Sequence, residues 1–436
     1  MHYPNYISLP SSKCVDKLFT DFSGGFDPDT ETADLPASTA RFCTNLTAAF
    51  NSLTPSIGLS DDNFALPAGT LKVWYFEQAQ TFFAIDSSFQ LYSKSAGNSS
   101  FTAVTDAVFN ALPEFFVLKI QNYFRAVFSA PGEPLIVWRS NSETYSVIAD
   151  LDISQAVFFD GSLFAISHSS PYIHRSAVTE LTDWNFSEKE SFDLSAIGCL
   201  RKLVVTGNSL AVFGDRGIAK IGRYDSSLSA AVVFISPGDI FKDTVAAVGD
   251  SIFFTTDKAL FSYNGVDTVK LIRRLALSDP FAFASRDGYN LFSSSFSYLY
   301  DIFTGNFSAN DFAAEITCAL PLPEPRVFIP SLSNNLLALS PTNSFAKAPV
   351  SGVWTSPVIF SSKQVRIHSL SLRCNCPVSV TISKENYCRT FTVIPSGNMA
   401  KIPVDITGKD FTFSFSIRLE HENKVNWVRI QYTPLG

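Results

Sequence analysis

Between residues 70 and 350 the chain repeats one short theme: an apolar run rich in Phe, Val or Tyr, a tight turn, a second run, then a polar loop. The theme is legible in "QAVFFDGSLFAISH" (155–168), "KLVVTGNSLAVFGDRGIAKIG" (202–222), "AAVGDSIFFTTDKALFSYNG" (246–265) and "FAFASRDGYNLFSSSFSYLYDIFTGNF" (281–307). Each opening hairpin turns on Asp-Gly, Gly-Asn or Gly-Asp, pairs that supply the positive φ a tight hairpin requires. Looser copies occupy 71–94 and 122–148. Successive units start about 40 residues apart, the period of four-stranded propeller blades. One such sheet cannot cover both its faces, whereas radial packing buries them and leaves only short edges. The pattern predicts an all-β chain with a β-propeller over 61–345. Six blades fit best, and seven fit if "PEPRVFIPSLSNNLLALSP" (323–341) contributes strands. A β-sandwich or β-helix with irregular strands is the competing architecture.

The flanks differ in character. "SPTNSFAKAPVSG" (340–352) reads as a linker. Beyond it, "KQVRIHSLSLRC" (363–374), "PVSVTISK" (377–384), "FTFSFSIRLE" (411–420) and "VNWVRIQYTPL" (425–435) alternate apolar and polar residues. Such strands keep one polar face and predict an antiparallel β-sandwich over 350–436. Residues 1–60 predict an arm. Within it Phe42, Leu46, Ala49, Phe50 and Leu53 form one apolar stripe at helical spacing. Asp34 or Ser38 could cap that helix, with Pro36 tolerated in its first turn. An extended arm with the same anchors is the alternative.

Composition supports the β reading and excludes several functions. The chain has 41 Phe and 2 Met; Phe favours strands, while Met fills irregular helical cores. Net charge is −7 with no basic block, which argues against nucleic-acid binding driven by clustered Lys and Arg. A duct through which DNA slides without sticking stays compatible. The opening "MHYPNYISLPSSK" lacks the basic and apolar regions of a secretory signal, and no apolar run has the length of a membrane-spanning helix. Cys374, Cys376 and Cys388 lie close together without a nearby His pair, so they do not make a zinc pattern. Reduced, mostly buried thiols are expected, with a disulfide from Cys388 to either neighbour as the alternative.

A search for chemistry yields no catalytic, cofactor-binding or metal residues. The five His (His2, His168, His174, His368, His421) are scattered, and neither a nucleophile elbow nor a phosphate loop is present. His168 and His174 in "SHSSPYIHRS" read as part of a polar loop. Asp150, Asp160, Asp183, Asp215 and Asp250 are the candidates for propeller-type glycosidase carboxylates, yet most sit in turn pairs where Asp bonds the local backbone. "SRDGYNLF" (285–292) half resembles the Asp-box of sialidases but lacks its Trp. Trp184 and Trp354 are the residues to inspect as exposed sugar platforms.

Three pieces in order carry a resemblance to the bacteriophage tail nozzle or hub proteins, which form part of the neck and tail beneath the portal. The first is Gly24, Gly25, Leu35, Pro36, Asn45 and Gly58, matching a Gly-Gly, Leu-Pro, Asn, Gly order that leads into a first blade. The second is the propeller, including "PYIHRSAVTELTDWN" (171–185). The third runs from "VWTSPVIF" through "KQVRIHSLSL" (353–372) and ends in "VNWVRIQYTPLG". One departure stands out: where the family carries a basic Arg-Pro-Gly-like turn, "NSLTPSIGLSDD" (51–62) is uncharged and then acidic. The resemblance implies a non-enzymatic homo-oligomeric ring in the virion, commonly of six copies, made in the host cytoplasm. Its partners would be itself, adjacent portal or adaptor and tail proteins, and DNA in passage without specific binding. On this reading Gly24, Gly25, Leu35, Pro36, Phe42, Asn45, Leu46, Phe50 and Leu53 form an assembly arm. A receptor- or glycan-binding tail protein and a propeller glycosidase are the rival functions.

Overall fold

In the computed structural model the described residues are 14–19, 22, 27, 40–49, 52–55, 58–120, 123–140, 144–148, 151–176, 181, 190–224, 227–285, 288–303, 305–340, 351–359, 364–384, 387–418 and 423–435. Strands dominate them; no α-helix occurs among them, and none is long and apolar enough to cross a membrane. The chain divides into two compact units: 61–297 with 314–339, and 1–60 with 298–313 and 340–436.

The first unit is built from four-stranded antiparallel meanders. Blade 1 comprises Thr70–Phe76, Thr81–Asp86, Gln90–Ser95 and Thr102–Val108. Blade 2 comprises Glu114–Ile120, Tyr123–Ser129, Leu135–Arg139 and Tyr145–Ile148, and blade 3 Gln155–Phe159, Ser162–Ile166, Tyr172–Ser176 and Glu190–Asp193. Blade 4 is Leu200–Thr206, Ser209–Gly214, Gly217–Tyr224 and Ser227–Ile235; blade 5 is Ala246–Val248, Ser251–Thr255, Ala259–Tyr263 and Val269–Arg274. Blade 6 opens with the hairpin Phe281–Ser285 and Gly288–Ser293, and its strands Phe296–Asp301 and Phe307–Asp311 follow, the chain from Tyr298 belonging to the second unit. Blade 7 takes Cys318–Leu320, Arg326–Phe328 and Asn335–Ser340, then borrows Gly58–Ala65 from far upstream as its fourth strand.

Seven blades therefore replace the preferred count of six, because 323–341 does supply two strands. Blade 7 is hard to read in sequence since two of its strands are three residues long and one is not adjacent in the chain. Its fourth strand is held near its middle by Asp61, whose carboxylate accepts from Asn335 Nδ2 at 2.9 and 3.0 Å.

Closure of the series follows from packing. Apolar residues of neighbouring blades merge into shared cores: Phe83, Phe128 and Trp138 between blades 1 and 2, Leu118 and Ala165 between 2 and 3, Ile166 and Val212 between 3 and 4, Phe213 and Phe254 between 4 and 5. Tyr289 of blade 6 donates its hydroxyl to Thr244 O beside blade 5 at 2.7 Å. Val73 and Ala84 of blade 1 then share a cluster with Cys318, Leu320, Phe328 and Leu336 of blade 7. A meander series whose last member packs on its first is a β-propeller. The Phe excess now has a physical place. A flat ring fills the narrow gap between twisted sheets, as Phe83 does edge-on to Phe128 at 4.9 Å, and each fully buried Phe contributes about 1.5–3 kcal/mol.

Hairpin chemistry follows the sequence reading where the turn is described. Asp160 and Gly161 have φ of 48° and 74°, the two left-handed residues that match a hairpin's right-handed twist.

The second unit holds two sheets. One runs Leu46–Ala49, Ser52–Pro55, Val425–Pro434, Val365–Cys374, Met399–Gly408, with Val15–Phe19 also paired to Val425–Pro434. The other continues from Phe307–Asp311 through Phe42–Thr44, Ser351–Thr355, Thr412–Arg418, Val378–Lys384 and Tyr387–Val393. Alternation gives each sheet one buried face: Ile367, Leu370, Leu372, Val428 and Ile430 on the first, Val378, Val380, Ile382, Phe413, Phe415 and Ile417 on the second. Two such faces are covered by stacking as a sandwich. Trp354, fully buried, stacks on Phe415 at 5.6 Å and receives Phe22 edge-on at 5.2 Å.

The helix expected over Phe42–Leu53 is not formed. Those residues lie in Phe42–Thr44, Leu46–Ala49 and Ser52–Pro55, so the extended alternative describes them. Asn45 interrupts with φ of 59°, a left-handed conformation that no helix interior accommodates. Burial of Leu46 and Leu53 against sheets supplies what a helical stripe would have supplied, and tertiary pairing overrides the weak local preference. Among the described residues of this segment, Val15–Phe19 and Ser52–Pro55 pair with Val425–Pro434, and Phe42–Thr44 with Ser351–Thr355. Of the expected linker at 340–352, residues 341–350 lie outside the described set, and Ser351 already begins a strand.

Candidate functional site

The innermost strands of the propeller converge on a cavity of about 710 Å³. First strands of blades 1, 2, 3, 4, 6 and 7 line it, and the turn Lys242–Thr244 before blade 5 completes the circle. Much of the wall is aromatic, with Trp74, Phe115, Phe116, Phe241, Phe281 and Phe283 around the opening. A smaller adjoining pocket of about 300 Å³ shares Lys72, Lys202, Lys242 and Asp243 and adds Glu114 and Arg201.

Charge on this axis is sparse and mostly paired. Lys72 Nζ lies 3.5 Å from Asp243 Oδ2, and Lys242 pairs with Glu114 of blade 2. Arg201 is held by Asp215 at 2.5 Å and donates to His168 O at 3.2 Å. Lys202 is the exception: its ammonium makes no hydrogen bond or ion pair with any described residue. Burial pulls Lys202 below the ordinary lysine value, against the smaller opposing pull of Asp243 and Glu114. Burial pushes the Asp243 carboxyl up, but Lys72, Lys242 and Lys202 together outweigh it and hold it below its usual value. Next to Lys202, the buried Gln155 side chain pairs reciprocally with a backbone unit of blade 4. Gln155 Nε2 donates to Leu203 O at 3.1 Å and Leu203 N donates to Gln155 Oε1 at 2.7 Å. That amide ties blades 3 and 4 at the axis and fixes the strand that carries Lys202.

A second constellation has the outline of a hydrolase triad. His168 Nδ1 is 2.6 Å from Asp152 Oδ1, and His168 Nε2 is 3.4 Å from Ser129 Oγ. Its chemistry is different. Ser129 is 1% exposed, and its hydroxyl donates to Ile153 O at 2.5 Å. One hydroxyl proton cannot also be surrendered to imidazole, and a nucleophile with no access to substrate does not attack one. The trio is a polar clasp between blades 2 and 3.

The sequence-predicted arm residues divide into three groups. Gly24, Gly25, Leu35, Pro36 and Phe50 lie outside the described residues. Phe42 is placed in a strand, with its backbone opposite Thr355. Asn45, Leu46 and Leu53 are buried and come together with the second unit's strands. Asn45 N donates to Ala309 O at 2.9 Å, its Oδ1 accepts from Asp311 N at 2.7 Å, and its Nδ2 donates to Ser351 O at 3.4 Å. Leu46 fills the space beside Gly352, where any Cβ would meet Leu46 Cγ at 2.6 Å. Leu53 pairs with Val425.

The other candidates fall apart as a site. Asp160 pairs with Arg223 at 2.9 Å and Asp215 with Arg201; with Asp250 they are absent from the axial wall, while Asp150 and Asp183 lie outside the described residues. Trp354 is buried in the second unit and offers no sugar platform, and Trp184 lies outside the described residues. No disulfide joins any of the seven Cys; Cys388 is exposed, whereas Cys374 and Cys376 are buried. No cluster of described residues has the make-up of a metal site. Sequence reasoning missed Lys202, Lys72 and Lys242, which are 130 and 40 residues apart along the chain. The usable signal was their position at or just before the first strand of a repeat, since that strand faces the axis.

Comparison of the sequence with protein-family models and with curated proteins finds no match. Among solved structures the chain is similar to one in the mitotic checkpoint complex, at 11% identity over 69% of this chain and 96% of that one, with a TM-score of 0.45. It is similar to the β-propeller domain of Cps50 (Swd1) from Myceliophteria thermophila, at 8% identity over 64% and 98%, with a TM-score of 0.45. It is also similar to apo AztD from Citrobacter koseri, at 11% identity over 73% and 90%, with a TM-score of 0.44.

Proposed function

We propose that this chain is a structural protein of a bacteriophage tail or neck, a nozzle or hub subunit that joins copies of itself into a ring around the path of DNA. The observation that carries the reading is Asn45. Asn45, a described residue of the N-terminal piece, hydrogen-bonds the 307–311 strand and the 351–355 strand, at which the C-terminal piece begins. A motif whose Asn is buried and bonded to two strands is a construction element, which suits a protein whose role is shape.

The subunit's own axis is not the conduit in this reading. A cavity of about 710 Å³ equals a cube about 9 Å on an edge, narrower than the ~12 Å major groove of a duplex alone. The channel is instead the opening between subunits of a closed ring, whose heterologous contacts repeat until they close. The net charge of −7 opposes adhesion of DNA to its wall.

Native mass spectrometry and negative-stain microscopy of the full chain test this. The expected result is a closed ring, commonly of six copies, with an opening wide enough for duplex DNA. A protein that stays monomeric at every concentration, and is also missing from virions of the phage that encodes it, overturns the proposal.

A further inference from the structure

The axial cavity has a property that a purely structural hub does not require. Three lysines line it, from blades 1 and 4 and the turn before blade 5. Two of them, Lys72 and Lys242, are matched to Asp243 and Glu114. Lys202 is not matched, although it lies half-buried on the wall shared by the two axial pockets. Asp279, also on the rim, is exposed and makes no ion pair with it.

An unpaired charge beside Trp74, Phe115, Phe281 and Phe283 is costly, because burial disfavours the charged form and the carboxylate on the same wall, Asp243, is already engaged by Lys72. Packing would have been served as well by Leu or Met at this position. A largely aromatic recess with a few polar groups, of which Lys202 is the uncommitted cation, is also the usual make-up of a ligand site, and about 710 Å³ lies within the range such sites occupy.

We propose that the axial cavity binds a small organic monoanion with a flat apolar body, its carboxylate or sulfonate meeting Lys202 Nζ and its body lying against the aromatic wall. One free ammonium sets the ligand's charge at one. The two neighbouring lysines are already neutralised, which disfavours a di- or trianion such as a nucleoside triphosphate. Gln155, locked to Leu203, holds the backbone beside Lys202 in place, so the site is preformed. Binding restores the missing counter-charge through a charge-assisted contact.

The probe is 1-anilinonaphthalene-8-sulfonate, an aromatic monoanion whose fluorescence reports transfer to an apolar site, titrated into the full chain. Saturable binding at one site per chain is expected. Lys202→Met should weaken it roughly tenfold or more, the loss of one charge-assisted contact, while Lys202→Arg retains most of it. The uncharged parent, N-phenyl-1-naphthylamine, should bind much more weakly than the sulfonate. Amine footprinting gives a protein-side readout: the bound sulfonate should shield Lys202 from acetylation and leave the 82% exposed Lys258 unchanged. No saturable binding, equal binding by Lys202→Met, equal binding of the uncharged parent, or unshielded Lys202 each overturns the proposal. Because binding is read per chain, it is decided independently of whether rings form.

Discussion

Replacing Asn45 with Ala should loosen the second unit by a predictable amount. Three terms enter. The first is the amide of Asp311, which donates to Asn45 Oδ1 at 2.7 Å; stripped of its acceptor in a partly buried setting, it costs about 1–2 kcal/mol. The second is the longer 3.4 Å bond from Nδ2 to Ser351 O, worth at most ~0.5 kcal/mol. The third is the backbone: φ of 59° is tolerated by Asn but penalises Ala by up to ~1 kcal/mol. The sum is about 1–3.5 kcal/mol. Since two units need not unfold together, a single global unfolding energy is the wrong observable. Hydrogen exchange at the Asp311 amide reads the local opening instead. Asn45→Ala should remove most of that amide's protection. Asn45→Gly, which relieves the backbone term, should be the milder by roughly 1 kcal/mol, and Asn45→Asp, which keeps Oδ1, should retain protection at Asp311. If Asn45→Ala leaves Asp311 exchange and the unit's stability within about 0.5 kcal/mol of the parent, Asn45 is not the fastening described here.

Other outcomes follow from the same structure. Gly352→Ala should destabilise the second unit by about 1–3 kcal/mol through overpacking on Leu46, and combining it with Leu46→Ala should recover part of the loss in a denaturant double-mutant cycle. A fluorophosphonate that labels serine hydrolases should leave Ser129 unmodified, and Ser129→Ala should cost about 1 kcal/mol by loss of its bond to Ile153 O; labelling at Ser129 would reverse the reading of the clasp. Lys202→Met should stabilise the propeller near neutral pH by on the order of 1 kcal/mol. The sign is fixed by burial lowering Lys202 in the folded state: the penalty is full where both states are protonated and fades as pH climbs from the lowered value to the ordinary 10.5. Unfolding curves of the two proteins should therefore converge at high pH, and a gap that widens there would contradict the assignment.

How far the sequence alone leads depends on where each contact partner sits along the chain. Blades 3 to 5 are legible because their strands are adjacent and their turns carry Asp160-Gly161, Gly207-Asn208 and Gly249-Asp250, whose glycines do adopt positive φ. Blade 7 was half hidden, since its outer strand lies some 270 residues upstream of its neighbours and carries no repeat signature. The arm misled for a related reason. Phe42, Leu46, Ala49 and Leu53 satisfy a helical period, but the sheets that bury Leu46 and Leu53 come from the other end of the chain, and only Asn45 hinted at a break. The axial lysines were invisible as a group, because convergence on an axis leaves no spacing to recognise.

Borrowing Gly58–Ala65 to finish blade 7 has a consequence for the protein's birth. The borrowed strand leaves the ribosome long before its partner, since Asp61 and Asn335 are separated by 274 positions. At ordinary elongation rates the wait is on the order of tens of seconds, during which one flank of the nascent wheel presents unpaired peptide groups to whatever is nearby. Whichever copy supplies the missing strand first decides whether the circle shuts on itself or on a neighbour, so crowding on a polysome should raise the share of strand-exchanged pairs.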